Sequence, residues 1–401
     1  MKFANRKQIT VLMSLLLIML IVVAGCTKPA PPVTPDPPPV DTPAELVTEE
    51  PTVETEEPIV ETPAEPEDTE EPVVETPAEP EESDEPELPM LEITEQPSGG
   101  MGYEVLRSKD VSDIITGTPW TEDFTADTLP VFLNNAHLNE DATPTDELLE
   151  LMQQQLIKVA KGFGVTVNPE DIVVSVNESQ PYPNALVSYS DEAYRFETNM
   201  LVETTVQPII PIDLPPEYTF PGIVTKEQQE ALAEYLKQEH ADWIGLDSPV
   251  TIISGGDYTT EEVQLYHLGF YEDSSDETEA LLNFHFQKAN FSTNDAGQLF
   301  HIRIFNTNLS NPLGDYPVIT PEEAEEMLLA GRYFTTVPED PPTAETVRGV
   351  TLVYRNFLSE TSFLPYYRFL VELPNETIGD MLAFGAYYVP AVEEQFISNL
   401  P

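Results

Sequence analysis

Apolar residues recur three and four positions apart in three stretches of the chain, and each stretch opens on a capping residue. Leu148, Leu149, Met152, Leu156 and Val159 line one face of a helix predicted over 144–161. Thr143 supplies its N-cap hydroxyl, Pro144 suits the first helical position and Gly162 the stop. A second helix opens at Thr225, where Gln228 three residues on completes a capping box, and Ala231, Leu232, Tyr235 and Leu236 form its face. A third, shorter helix opens at Thr320-Pro321-Glu322-Glu323, turns Ala324, Met327 and Leu328 inward and ends at Gly331.

Between and after these helices the period changes to two. Runs rich in β-branched and aromatic residues predict strands at Ile172–Val176, Ala185–Tyr189, Tyr194–Val202, Val263–Tyr271, Leu281–Gln287, Leu299–Phe305, Val350–Tyr354, Tyr366–Leu373 and Leu382–Val389. Ser190-Asp191 reads as a hairpin turn. Ser254-Gly255-Gly256-Asp257 reads as a turn after the apolar Val250–Ile253. Helices and strands do not alternate regularly, so the pattern predicts an α+β fold of mostly antiparallel sheets with a few packed helices. The Pro-rich stretch 207–222 divides it into two expected subdomains, 101–221 and 222–401.

The first hundred residues follow another pattern. Lys2, Arg6 and Lys7 precede an apolar run, Val11 to Val23, broken only by Ser14 and ending in Val23-Ala24-Gly25-Cys26. This is the layout of a secretory signal, with an apolar run shorter than the ~20 residues of a comfortable membrane span. It resembles the bacterial lipoprotein signal with its lipobox. The resemblance implies a signal peptide over 1–25, cleavage before Cys26, and a diacylglycerol on the Cys26 thiol that anchors the chain to the extracytoplasmic side of a membrane. Cys26 is the single cysteine, so no intramolecular disulfide is possible and no thiol remains for catalysis.

Residues 27–100 hold 18 prolines, 23 acidic residues, one basic residue (Lys28) and no aromatic residue. Glu56-Glu57-Pro58-Ile59-Val60-Glu61-Thr62-Pro63-Ala64-Glu65-Pro66 returns, with one change, at Glu70 to Pro80. Proline at this density forbids a helix, and like-charge repulsion with no aromatic residue leaves no core to offset the entropy of ordering. The composition predicts that 26–100 is a disordered, extended tether. At ~3.1 Å per residue, about 70 residues reach on the order of 200 Å.

The formal net charge of −55 opposes nucleic acid, anionic lipid and anionic wall polymer as partners. No catalytic signature is present: there is no Gly-x-Ser-x-Gly elbow and no His-Glu-x-x-His pair. Among the histidines, His285 and His301 fall in expected strands, where they could approach each other, but core packing is the commoner fate of such residues. Asp273 to Glu279 is oxygen-rich yet lacks the spacing of a Ca²⁺ loop, and reads as a solvated hairpin loop. No metal, cofactor or catalytic residue is expected.

The most patterned stretch is the last third. Asp315 to Ala324 leads into the short helix. Leu364-Pro365-Tyr366-Tyr367-Arg368-Phe369 and Gly385-Ala386-Tyr387-Tyr388-Val389-Pro390 follow as strands. Residues 315–392 resemble PepSY-type modules and the YycH/YycI-type extracytoplasmic regulators of a bacterial sensor kinase. Those are built from small α+β units and act by protein contact. The lipid anchor and long tether depart from that pattern, since the regulators use a transmembrane helix. Tyr366, Arg368, Tyr387 and Tyr388 form a candidate binding patch if exposed. In the alternative, alternate residues pack in the core and Arg368 meets a carboxylate. The functional expectation is a membrane-tethered surface lipoprotein whose non-catalytic ectodomain binds or regulates an envelope protein, peptide or wall component. The alternatives are a carboxylate-dependent envelope hydrolase acting on peptidoglycan or glycans, and a solute-binding lipoprotein.

Overall fold

Side-chain caps set the starts of the four longer helices. In the structure, a computed structural model, residues 88–94, 104–115, 117–137, 144–177, 184–222, 224–257, 265–338 and 341–400 are described. Signal, lipobox and most of the expected tether lie outside them. From the start, the chain forms β1 (Val105–Ser108), α1 (Ser112–Ile115), β2 (Thr128–Leu133) and α2 (Asp146–Gly162). The cap of α2 is Thr145, whose hydroxyl accepts from the Leu148 N–H; Pro144 therefore precedes the helix instead of opening it. Four strands follow: β3 (Val173–Asn177), β4 (Asn184–Ser190), β5 (Tyr194–Asn199) and β6 (Glu203–Pro208). The β4–β5 turn is held by Asp191, which accepts from Ala193 N and Tyr194 N at 2.7 Å each.

Next come α3 (Lys226–Glu239), opened by the expected Thr225/Gln228 capping box, α4 (Ala241–Ile244), β7 (Pro249–Asp257) and β8 (Leu265–Glu272). Ser254 to Asp257 thus continue a strand where a turn was expected. Then α5 (Glu277–Phe286) replaces the expected strand at Leu281–Gln287. Asp276 caps it by accepting from Glu279 N, so the acidic run is a helix start and not a hairpin loop. The chain continues through β9 (Lys288–Thr293), β10 (Leu299–Phe305), β11 (Pro312–Pro317), α6 (Pro321–Leu329, capped by the Thr320/Glu323 box), β12 (Phe334–Thr335), β13 (Val347–Tyr354), β14 (Ser362–Phe363), β15 (Pro365–Glu372) and β16 (Leu382–Pro390).

These elements make an α+β fold with three antiparallel sheets. The eight-stranded sheet runs β3-β4-β5-β6-β10-β9-β8-β7, the five-stranded sheet β1-β16-β15-β13 with β12 also on β16, and a small sheet β11-β2-β14. One face of the large sheet carries Val187, Phe196, Val206, Phe270 and Ile302 against Met152 and Leu156 of α2 and Leu232 and Leu236 of α3. The five-stranded sheet is covered on both faces. Tyr367, Phe369 and Tyr387 face Trp120, α5 and α6, while Tyr366 and Tyr388 face Leu91, Tyr316 and Ile397.

Both expected subdomain limits move. The large sheet joins residues from either side of 221/222 through the β6–β10 pairing, Val206 opposite Ile302. The proline-rich 207–222 stretch is not a linker. Its prolines interrupt the sheet ladder, yet Leu214 is buried and Ile212 exchanges backbone hydrogen bonds with Leu299. The folded body also begins before residue 101. Leu91 and Ile93 are buried, and the C-terminal segment clamps them: Leu91 N donates to Phe396 O, Ser398 N to Leu91 O, and Asn399 pairs with both Ile93 backbone groups at 2.8 Å.

Candidate functional site

The expected aromatic–Arg patch is not a surface. Tyr366, Tyr387 and Tyr388 are buried in the five-stranded sheet, and only Arg368 is half-exposed. Strand alternation splits them. Tyr387 packs its ring edge against Tyr333 on one face, while Tyr366 and Tyr388 meet at 6.2 Å on the other. Arg368 stands between Thr351 and Tyr388 in register and has no carboxylate within ion-pair distance among the described residues.

The cation among those rings is Arg355, which sequence reasoning passed over. Its guanidinium lies 5.0 Å from the Tyr366 ring and 5.4 Å from the Tyr388 ring, and pairs with Glu360 at 2.5 Å. The two side chains are 2% and 1% exposed. Burial lifts the Glu360 carboxyl to about 7, although Arg355 pulls it down. Residues 92–94 hold down the loop that carries the pair, Thr94 donating to Ser359 O and Thr361 to Glu92 O. A ligand cannot reach this centre without displacing that segment.

The open site lies where β8 and β10 end and β9 begins, beneath the second half of α2 and beside α4. It is a cleft of about 520 Å³, within the range of small-molecule sites. Its walls include Gln155 and Lys158 of α2, Trp243 of α4, Glu272, Lys288 and Phe305. Trp243 is fixed in a ring stack, with His240 at 3.8 Å on one side and Phe163 at 5.1 Å on the other. His240 is in turn bonded to the Tyr235 hydroxyl at 3.1 Å, and partial burial lowers its pKa. Glu272 accepts from Asp247 N and Ser248 N at 2.7 Å each, which commits it to the turn before β7. Lys288 holds its ammonium 4.9 Å from the centre of the Phe305 ring. Burial, with Arg303 adding to it, lowers the Lys288 pKa to about 8.

A second depression of about 500 Å³ follows along the first half of α2, lined with amides: Asn135, Gln154, Asn308 and Asn311. Asn306 in the first cleft donates to Gln155, so the segment after β10 runs beside α2 past both.

His285 and His301 do not share a sheet. His285 is buried in α5 and His301 is on β10, and burial lowers the pKa of each. Among the described residues no group of His, Cys, Asp and Glu side chains is placed to hold a metal ion, and no helix is long and apolar enough to cross a membrane. No protein-family profile matches the chain, and no curated protein matches it. Among solved structures, the crystal structure of an uncharacterized protein from Eubacterium rectale ATCC 33656 is similar at 11% identity, over 67% of this chain and 84% of that chain, with a TM-score of 0.30. A likeness of that size carries no functional argument.

Proposed function

We propose that the chain is a surface lipoprotein, anchored through Cys26 on the extracytoplasmic side of a membrane, whose non-catalytic ectodomain binds an envelope protein, peptide or wall component in the cleft beneath α2. The observation that carries the anchoring is the sequence Val23-Ala24-Gly25-Cys26 after a charged start and a short apolar run. Binding is favoured over hydrolysis by where the carboxylates sit. A glycan hydrolase needs one carboxyl of raised pKa facing a second across a cleft. Among the described residues the carboxyl raised to about 7 is Glu360, and it is buried against Arg355 and does not line the cleft. The resemblance of 315–392 to regulatory modules that act by contact points the same way.

Metabolic labelling with an alkyne fatty acid tests the anchor. The parent chain is expected to take the label and fractionate with membranes, and Cys26→Ser to lose the label and appear in the medium. An unlabelled parent, or a Cys26→Ser chain that stays on the membrane, overturns this reading.

A further inference from the structure

Cations are scarce in this chain, with 17 against 72 acidic residues, so one that lacks a carboxylate partner stands out. Eight of the cations in the described residues are ion-paired: Arg107, Lys109, Arg195, Lys237, Arg303, Arg332, Arg348 and Arg355. Among the described residues Lys158, Lys161, Lys226, Lys288 and Arg368 are not, and of these Lys158 and Lys288 line the cleft beneath α2. Lys158 is exposed at its mouth, whereas Lys288 is largely enclosed.

The surroundings of Lys288 are themselves cationic. Arg303 and Arg368 both act to drive off its proton, and Glu203 is the carboxylate that opposes them. Glu203 is already spent on Arg303, whose Nε–H it accepts. The Phe305 face is what the Lys288 ammonium has in place of an anion, and the same ring also carries Arg303 at 4.9 Å. An enclosed ammonium without a counter-ion is costly. An anion entering the cleft relieves that cost at a place where water is already partly excluded. The acidic groups on the wall do not fill the role: Glu272 is held by two backbone N–H groups, and Asp242 and Asp247 are exposed.

We propose that the cleft beneath α2 recognises a carboxylate carried on an apolar or aromatic body, with Lys288 as the counter-charge, Lys158 at the mouth, and Trp243 and Phe305 as the apolar wall. This deepens the binding function proposed above and rests on the cleft being the ligand site. It also explains how so acidic a protein can take an acidic ligand. Charges beyond about 8 Å are screened at physiological salt, and inside the cleft the near charges decide.

The test uses the full-length chain in detergent micelles and two probes that differ in one group, 4-fluorophenylacetate and 4-fluorophenylacetamide. Binding is read by ¹⁹F NMR against empty micelles. The acid is expected to bind about 10-fold tighter than the amide, or more. Lys288→Gln is expected to bring the acid down to the amide's affinity while leaving the amide within about 2-fold, and Lys288→Arg to keep the preference. Unchanged amide binding and far-ultraviolet circular dichroism show that the variant is folded. Should Lys288→Gln not fold, Lys158→Gln at the exposed mouth decides: a fall in the acid preference of about 2-fold or more supports the proposal, and none overturns it. Equal binding of acid and amide by the parent overturns the carboxylate proposal and leaves the cleft a binding site. Binding of neither probe, or an acid preference that survives Lys288→Gln, also overturns it.

Discussion

Replacing Glu360 by Gln asks whether burial or pairing dominates at the Arg355–Glu360 centre. The carboxyl titrates near 4.5 when exposed and at about 7 in the folded chain, because burial outweighs the pull of Arg355. Between these values the folded chain holds a proton that the unfolded chain has released. Stability therefore falls as pH rises through the window, from no loss below about 4.5 to the full loss above 7. At 1.36 kcal/mol per pH unit the loss is about 3 kcal/mol. Gln keeps the shape of the protonated side chain and does not titrate. Glu360→Gln should match the parent within about 1 kcal/mol at pH 4.5 and exceed it by about 3 kcal/mol at pH 8. Urea denaturation at several pH values measures this. Every other titrating group is common to both chains, so the difference isolates position 360. A difference that does not change with pH, or a variant less stable than the parent at pH 8, would mean that pairing with Arg355 outweighs burial and that the carboxylate is ionised throughout.

Three further substitutions probe the folded frame. Met152 is fully buried between α2 and the large sheet, and Met152→Ala should cost about 2–5 kcal/mol in urea denaturation. Thr225→Ala removes one half of the α3 capping box and should cost about 1 kcal/mol by the same assay. Gly297 sits at φ +77°, where a Cβ would stand 2.7 Å from Phe220 N. Gly297→Ala should therefore lower the thermal midpoint by an amount equivalent to more than about 1 kcal/mol, and an unchanged midpoint would show that the loop can shift.

Local chemistry was legible in the sequence, and long-range placement was not. The Thr225/Gln228 and Thr320/Glu323 boxes appear where expected because each is complete within four residues. The helix at Glu277–Phe286 reads as a strand because Leu282, Phe284 and Phe286 alternate, yet Asp276 three residues before Glu279 carried a cap signal that outweighs that short alternation. Strand β9 was recoverable from Ala289 and Phe291 two apart, whereas β11 holds two prolines and Gly314 and has no strand signature. The aromatic strands of the last third are strands, but alternation could not tell that both of their faces are covered. The cleft had no motif to find. Its walls come from α2, α4, the end of β8 and the β9–β10 pair, and what distinguishes Lys288 is that it lines this cleft without an ion pair while Glu203 and Glu272 are held by Arg303 and by backbone N–H groups, which appears only when the chain is folded.

That the chain acts by binding in the cleft is tested most directly on cells, with a benzophenone amino acid placed at Asp247 on the exposed rim. Glu345, exposed and outside the cleft, serves as the control position. Irradiation is predicted to give a discrete adduct from position 247 that disappears with Lys288→Gln and does not form from position 345. No adduct from 247, or the same adduct from both positions, would contradict binding in the cleft.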